Sequence, residues 1–78
     1  MEGMWTLEIL DLTEGRTYLL APEYFTKEEV ESAAQARISD IQQGKSISHI
    51  EGEKVFRPPL RLYITNPDFN KQLFFSDP

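Results

Sequence analysis

Cysteine is absent from the 78-residue sequence, and its absence excludes two ways in which small domains are stabilised. Without thiols the chain forms neither disulfide bonds nor a thiolate zinc site, so its fold must depend on a hydrophobic core. A chain without cysteine suits the reducing environment of the cytosol, and we expect a cytoplasmic location.

Long apolar runs are also missing, since no stretch approaches the roughly 18–20 residues that cross a bilayer. Glu2 lies near the first residue, and the apolar segment 5–12 is interrupted by Glu8 and Asp11. A signal peptide instead has a basic region followed by an apolar one. We therefore expect no contact with membranes. Hydrophobic residues still make up 40% of the chain, and we expect residues 1–78 to form a single domain.

Positive charge is scarce, with 8 basic residues against 13 acidic ones and a net charge of −5. This balance argues against a protein that binds nucleic acid by neutralising phosphates. Residues 1–40 hold nine acidic and three basic residues, whereas residues 41–78 hold four and five. If the fold keeps these halves apart, one face is strongly negative and suits a partner with a basic surface. Ordinary solvation of a small domain is the alternative.

Groups that carry catalysis are few. His49 is the only histidine, and the four glycines are isolated, so no glycine-rich phosphate loop exists. An enzyme or metal site would have to pair His49 with Glu51 or Asp40, which is a weak ligand set. We expect no enzymatic activity, no catalytic residue, no cofactor and no bound metal. A small hydrolase or metal site using His49 is the alternative.

The clearest structural signal is the start of a helix. Thr26 and Glu29 have the spacing of a capping box, Phe25 and Val30 that of a hydrophobic staple, and Gly44 is placed to end the helix. The residues predicted to face a sheet follow spacings of three and four: Val30, Ala33, Ala34, Ile38 and Ile41.

Strands are predicted on both sides of this helix. Alternating apolar residues and turn signals indicate hairpins before and after it and one further strand, with a last short strand or packed tail at 73–75. The resulting fold is α+β, with the order β-β-α-β-β-β and a small antiparallel sheet that has one helix on one face. The predicted strands are 5–12, 17–20, 46–50, 54–57 and 60–64.

A helix, then Gly44-Lys45, then a hairpin with its turn at Glu51-Gly52 fill residues 29–57. This segment resembles the corresponding helix and hairpin of the lambda-type phage head–tail joining proteins. The resemblance implies a virion assembly component, although that family continues into a second helix where this chain has Pro58-Pro59. In size, acidity and lack of catalytic residues the chain also resembles inhibitors from phages and mobile elements, some of which imitate nucleic-acid phosphates.

A single helix covers only one face of the predicted sheet, so the other face is available to a partner. We predict that this face and the aromatic C-terminal segment bind another protein, with Tyr and Arg as typical contact residues. The alternative is that the aromatic segment folds back and completes the core. The predicted partner-binding residues are Tyr18, Leu20, Glu28, Glu31, Arg61, Tyr63, Phe74 and Phe75.

Two further binding modes are open. The basic residues Lys54, Arg57 and Arg61 lie near Phe56 and Tyr63, a mixture found at single-strand nucleic-acid sites, although the net charge opposes it. An edge strand could also pair with a second copy and form a homodimer. The leading hypothesis is a non-enzymatic protein–protein interaction module, an inhibitor or accessory subunit of a larger complex.

Overall fold

A computed structural model describes residues 3–78, and Glu2, one of the acidic residues counted above, lies outside them. The predicted α+β class and the order β-β-α-β-β-β are confirmed, and the C-terminal segment forms one more strand. The elements are β1 (Thr6–Asp11), β2 (Arg16–Leu19), α1 (Lys27–Gln42), β3 (Ser46–His49), β4 (Gly52–Val55), β5 (Leu60–Thr65) and β6 (Lys71–Asp77).

The strands form two antiparallel sheets, where a single sheet was expected. One has four strands in the order β2-β1-β5-β6, and the other is the β3–β4 hairpin. The backbones of the two sheets are joined by a bridge between Leu20 and His49 and by a hydrogen bond of 3.0 Å from Ile50 N to Leu19 O.

The helix begins and ends where its local signals predicted. Thr26 Oγ1 accepts a hydrogen bond of 3.1 Å from Glu29 N, and the Glu29 carboxylate accepts one of 3.1 Å from Thr26 N. At the other end Gly44 has φ +73°, a conformation that glycine adopts without strain. Phe25 remains 75% exposed, so the predicted staple with Val30 buries little of its ring.

The core lies between α1 and one face of the four-stranded sheet, and the hairpin closes it at the side. Leu7 pairs with Ile64 and Ile9 with Leu62, which aligns the apolar sides of β1 and β5 under the helix. Each fully buried aliphatic side chain contributes about 1.5–3 kcal/mol. The core residues are Leu7, Ile9, Tyr18, Leu20, Val30, Ala34, Ile38, Ile41, Ile47, Phe56, Leu60, Leu62 and Ile64.

The prediction that Tyr18 and Leu20 face outward is wrong, because both side chains are buried in the core. Tyr18 lies opposite Ile9 in the β1–β2 ladder, and directly paired residues share a face of the sheet. In segment 17–20 each of the two sets of alternate residues contains a leucine, so the sequence alone did not determine which set faces the helix.

The aromatic residues of β6 also serve the core. Phe75 pairs with Leu62 and Leu73 with Tyr63, which leaves Phe74 as the extra residue of a β-bulge. Phe74 and Phe75 are partly buried against the core, as the alternative of a C-terminal segment that folds back predicted. A bulge in an edge strand interrupts the regular pairing that a second strand needs, and this disfavours the edge-to-edge homodimer.

Charges from the two halves of the chain are brought together, so the condition for a negative first-half face, that the fold keeps the halves apart, is not met. Strand β1 pairs with β5, and the four ion pairs found among residues 3–78 all join one half to the other. The shortest has Lys71 Nζ 2.9 Å from Glu8 Oε1. On the helix, Glu28 and Glu29 remain exposed and Glu31 partly exposed. Helix α1, the one helix among residues 3–78, is too short and too polar to cross a membrane.

Candidate protein-binding surface

The face of the four-stranded sheet that points away from α1 carries a row of four side chains, one from each strand. The pairing places Leu19 beside Glu8, Glu8 beside Tyr63, and Tyr63 beside Leu73. The two leucines at the ends of this row are 37% and 55% exposed. Leu10 and Arg61 are paired in the next row. We call these six residues the open face: Glu8, Leu10, Leu19, Arg61, Tyr63 and Leu73.

The charge at the centre of the open face is neutralised within the domain. The mostly buried Glu8 carboxylate lies 2.9 Å from Lys71 Nζ and accepts a hydrogen bond of 3.4 Å from Thr65 Oγ1. Lys71 Nζ also lies 5.5 Å from the centroid of the Tyr63 ring. Arg61 is exposed, and no acidic side chain among residues 3–78 forms an ion pair with it. The open face therefore offers leucine, tyrosine and one unpaired arginine to a partner.

The structure separates the eight predicted partner-binding residues. Arg61 and Tyr63 lie together on the open face, whereas Tyr18 and Leu20 are in the core. Glu31 and Phe74 line a small cleft of about 40 Å³ beside Trp5. Glu28 lies elsewhere, on a shallow surface with Tyr24, and Phe75 packs against the core.

Sequence reasoning missed Leu10, Leu19 and Leu73. For Leu10 the signal was its alternation with Leu7 and Ile9 along β1. For Leu19 and Leu73 no local signal was sufficient, since one depends on the register of β2 and the other on the bulge of β6.

A second concave site is a polar groove of about 440 Å³ beside the β1–β2 turn. Its lining includes Asp11, the one charged residue buried in the described part of the chain. Asp11 Oδ1 accepts hydrogen bonds of 2.9 and 3.0 Å from the backbone N–H groups of Thr13 and Glu14. Lys54 Nζ lies 3.8 Å from Asp11 and 3.4 Å from Glu14. The hydrogen bonds and charges of these groups are satisfied by one another, so their role is to hold the β1–β2 turn. The sequence signal for this turn was an aspartate two residues before Thr13.

Glu14 and Tyr18 perturb each other at the margin of this groove. The Tyr18 hydroxyl donates a hydrogen bond of 2.8 Å to Glu14 Oε1. This bond lowers the pKa of Glu14, with further lowering from Lys54, and it raises the pKa of Tyr18 together with burial of the phenol. The hydrogen bond is strongest while Glu14 is ionised and Tyr18 protonated.

A Tyr18→Phe substitution is expected to raise the pKa of Glu14 toward its ordinary value, because the chief donor to the carboxylate is removed. In the wild type the folded pKa of Glu14 lies below the unfolded one. Its stabilising contribution is therefore present above the unfolded pKa and is lost as the pH falls through the folded pKa. Carboxyl NMR titration measures the shift, and Tyr63→Phe is the control. An unchanged Glu14 pKa in the Tyr18 variant would contradict this assignment.

His49 has a packing role in the structure. Its ring lies edge-on to Tyr18, with centroids 5.0 Å apart, and its Nδ1 accepts a hydrogen bond of 3.3 Å from the backbone N–H of Glu51. The Glu51 carboxylate instead pairs with Arg16 at 3.3 Å, so the suggested pair of His49 with Glu51 is not formed. Residues 3–78 contain no group of three His, Asp or Glu side chains placed to hold a metal ion.

The basic and aromatic residues suggested for single-strand binding are also separated. Lys54 and Arg57 line the polar groove, whereas Arg61 lies on the open face. Phe56 is fully buried and cannot stack on a base.

Comparison of the chain with protein-family models, curated proteins and solved structures gives no match. The case for a function therefore depends on the geometry of the open face.

Proposed function

We propose that the chain is a non-enzymatic protein-binding module that uses the open face, and that it acts as an accessory subunit or inhibitor of a larger complex. The observation that carries the proposal is the row in which Leu19 and Leu73 remain exposed at the two ends, with Glu8 and Tyr63 between them. These leucines contribute nothing to the core. Tyrosine and arginine are enriched among residues that dominate binding energy, and flanking aliphatic groups exclude water from them.

The open face is held rigidly by the core on the other side of the same sheet. Ile9 and Leu62 are fully buried under α1 and belong to the two central strands that carry Glu8, Leu10, Arg61 and Tyr63. A preformed surface loses little conformational entropy when a partner binds.

The size of the open face supports a partner that also contacts adjoining surfaces of the domain. Four strands spaced by about 4.8 Å, each about six residues long, give a face of about 400 Å². Two such faces stacked together would bury about 800 Å², less than the roughly 1,200 Å² of a standard stable interface. A larger protein could contact the open face and adjoining surfaces at once, which supports the role of an accessory subunit or inhibitor.

The net charge of −5 supports a basic partner. Opposite net charges speed association, and the effect weakens as salt increases. The ion pairs between the two halves of the chain reduce the acidic surface available for imitation of nucleic-acid phosphates. Contact through the open face is therefore better supported than phosphate mimicry.

Leu73→Asp is expected to abolish capture of the partner from the cells that naturally produce the chain, because a carboxylate would be desolvated in the interface. Phe25→Asp is the control, since Phe25 is 75% exposed and directly precedes the N-cap of α1, which packs on the opposite face of the sheet. Affinity capture with mass spectrometry identifies proteins retained by the wild type and the control but lost with Leu73→Asp.

Binding of the purified partner should then be weakened about tenfold or more by Leu73→Asp, with little change for Phe25→Asp. Thermal unfolding of both variants confirms that each is folded. If Leu73→Asp retains every protein that the wild type retains, the open face is not the binding surface.

A further inference from the structure

Phe69, in the turn between β5 and β6, is exposed and conformationally strained at the same time. It is 89% exposed, the highest value among the large hydrophobic residues in the described part of the chain. It is also the one non-glycine residue between positions 3 and 78 with a positive φ, at +63°. Bulky side chains rarely adopt this left-handed conformation, which glycine and asparagine tolerate better.

The turn holds Phe69 in a fixed position. Asn66 Oδ1 accepts hydrogen bonds of 2.9 Å from the backbone N–H groups of both Asp68 and Asn70. Phe69 N donates to Asn66 O at 2.9 Å, and Asn66 N donates to Asn70 O at 3.0 Å. The phenyl ring is therefore displayed from an ordered backbone, so little backbone conformational entropy is lost when it binds.

Neither the side chain nor the backbone of Phe69 improves the fold. The ring belongs neither to the core nor to the partly buried residues around it. A strained residue that persists without a packing role points to a function, and a rigid exposed aromatic is typical of an interface anchor.

The turn that carries Phe69 adjoins one end of the open face, which is small by itself. The turn joins Thr65 to Lys71, which are paired beside Glu8 at one end of the face. A buried aromatic side chain adds about 150–250 Å² of contact area, toward the roughly 800 Å² that each partner contributes to a standard interface. Asp68 is exposed beside Phe69 and has no ion pair among residues 3–78.

We infer that Phe69 is the anchor of the interface, inserted into an apolar pocket of the partner protein, with a basic side chain at the pocket rim facing Asp68. This inference rests on the proposed function, because it assigns a second contact to the same partner. A protein is favoured over a lipid surface, because Asp68 and the net charge of −5 oppose binding to anionic membranes.

Site-specific photocrosslinking in the producing cells tests the anchor directly. Benzophenone-alanine at position 69 should give a cross-linked protein, whereas the same probe at position 25 should not. Phe25 is a suitable control, since it is also an exposed phenylalanine. No cross-link at position 69, or the same cross-links at both positions, would overturn the inference.

Affinities for the cross-linked partner separate an anchor from a structural residue. Phe69→Asn should raise Kd about 30-fold or more, the range of an interface hot spot. It should leave the midpoint of thermal unfolding unchanged or about 2–6 °C higher, because asparagine suits the left-handed backbone. Phe25→Asn should change Kd by less than about threefold, as expected for a residue outside the hot spot. Asp68→Asn should raise Kd about two- to fivefold at low salt and less at high salt.

The outcomes distinguish this inference from the proposed function. If Leu73→Asp loses the partner and Phe69→Asn binds as the wild type does, the open face stands and the anchor is wrong. If Asp68→Asn leaves Kd unchanged at low salt, the assignment of a basic side chain to the rim of the partner's pocket is wrong. Co-sedimentation with vesicles of phosphatidylcholine and phosphatidylglycerol is the remaining measurement. Vesicle binding that Phe69→Asn removes would overturn the assignment to a protein pocket.

Discussion

Phe56→Ala is expected to remove a large part of the stability of the domain. Phe56 is fully buried, and its ring lies edge-on to Tyr18 with centroids 5.2 Å apart. Truncating a buried phenylalanine to alanine costs about 3–5 kcal/mol through lost hydrophobic transfer and the cavity that remains. A domain of this length has a total of about 4–12 kcal/mol, at 0.05–0.15 kcal/mol per residue.

The effect should be large because Phe56 attaches the hairpin to the rest of the fold. Strands β3 and β4 form a sheet of their own, and an isolated hairpin is at best marginally stable in water. The hairpin region buries Ile47 and, directly after β4, Phe56. Loss of the phenyl ring therefore weakens the packing of the hairpin against α1 and β2 as well as the local contact with Tyr18.

Urea unfolding followed by circular dichroism measures the change in the free energy of unfolding. Phe25→Ala makes the same chemical change at an exposed position and should cost less than about 0.5 kcal/mol. Phe56→Leu retains most of the buried volume and should cost far less than the alanine variant. A loss below about 1.5 kcal/mol for Phe56→Ala, well under the usual cost of such a truncation, would show that the hairpin is held mainly by other contacts.

The helix could be predicted in detail because its determinants are local in the sequence. Thr26 and Glu29 are three residues apart, and their reciprocal hydrogen bonds form within one turn. Gly44 ends the helix through its own backbone conformation. Neither signal depends on which strand lies nearby, so the tertiary structure left both unchanged.

Alternate residues of a strand form two sets that point to opposite faces of the sheet. The outward set could be predicted only where the apolar residues are confined to the other set. In β5 the residues Leu60, Leu62 and Ile64 alternate with Arg61 and Tyr63, so the outward pair was predicted from the sequence. In β2 both sets of alternate residues are partly apolar, and the pairing of Tyr18 with Ile9 determines which set faces the core. In β6 the bulge at Phe74 reverses the alternation, so that Leu73 faces outward and Phe75 inward. Both effects depend on neighbouring strands that are distant in the sequence.

Asp11→Ala is expected to destabilise the domain by about 2–3 kcal/mol, because several groups lose their partner at once. The backbone N–H groups of Thr13 and Glu14 donate to Asp11 Oδ1, and Lys54 Nζ lies 3.8 Å from Oδ2. Alanine offers no acceptor at this buried position, so both N–H groups would be unsatisfied or would need a rearranged turn.

Asp11→Asn separates the hydrogen bonds from the charge. The asparagine side chain keeps an oxygen that can accept from both N–H groups, and only the ionic contact with Lys54 is lost. Since Lys54 also lies 3.4 Å from Glu14, the asparagine variant should lose less than about 1 kcal/mol, as for other partly exposed ion pairs. Urea unfolding at neutral pH measures both variants. Equal losses in the two would show that the charge of Asp11, and not its role as an acceptor in the turn, stabilises this end of the sheet.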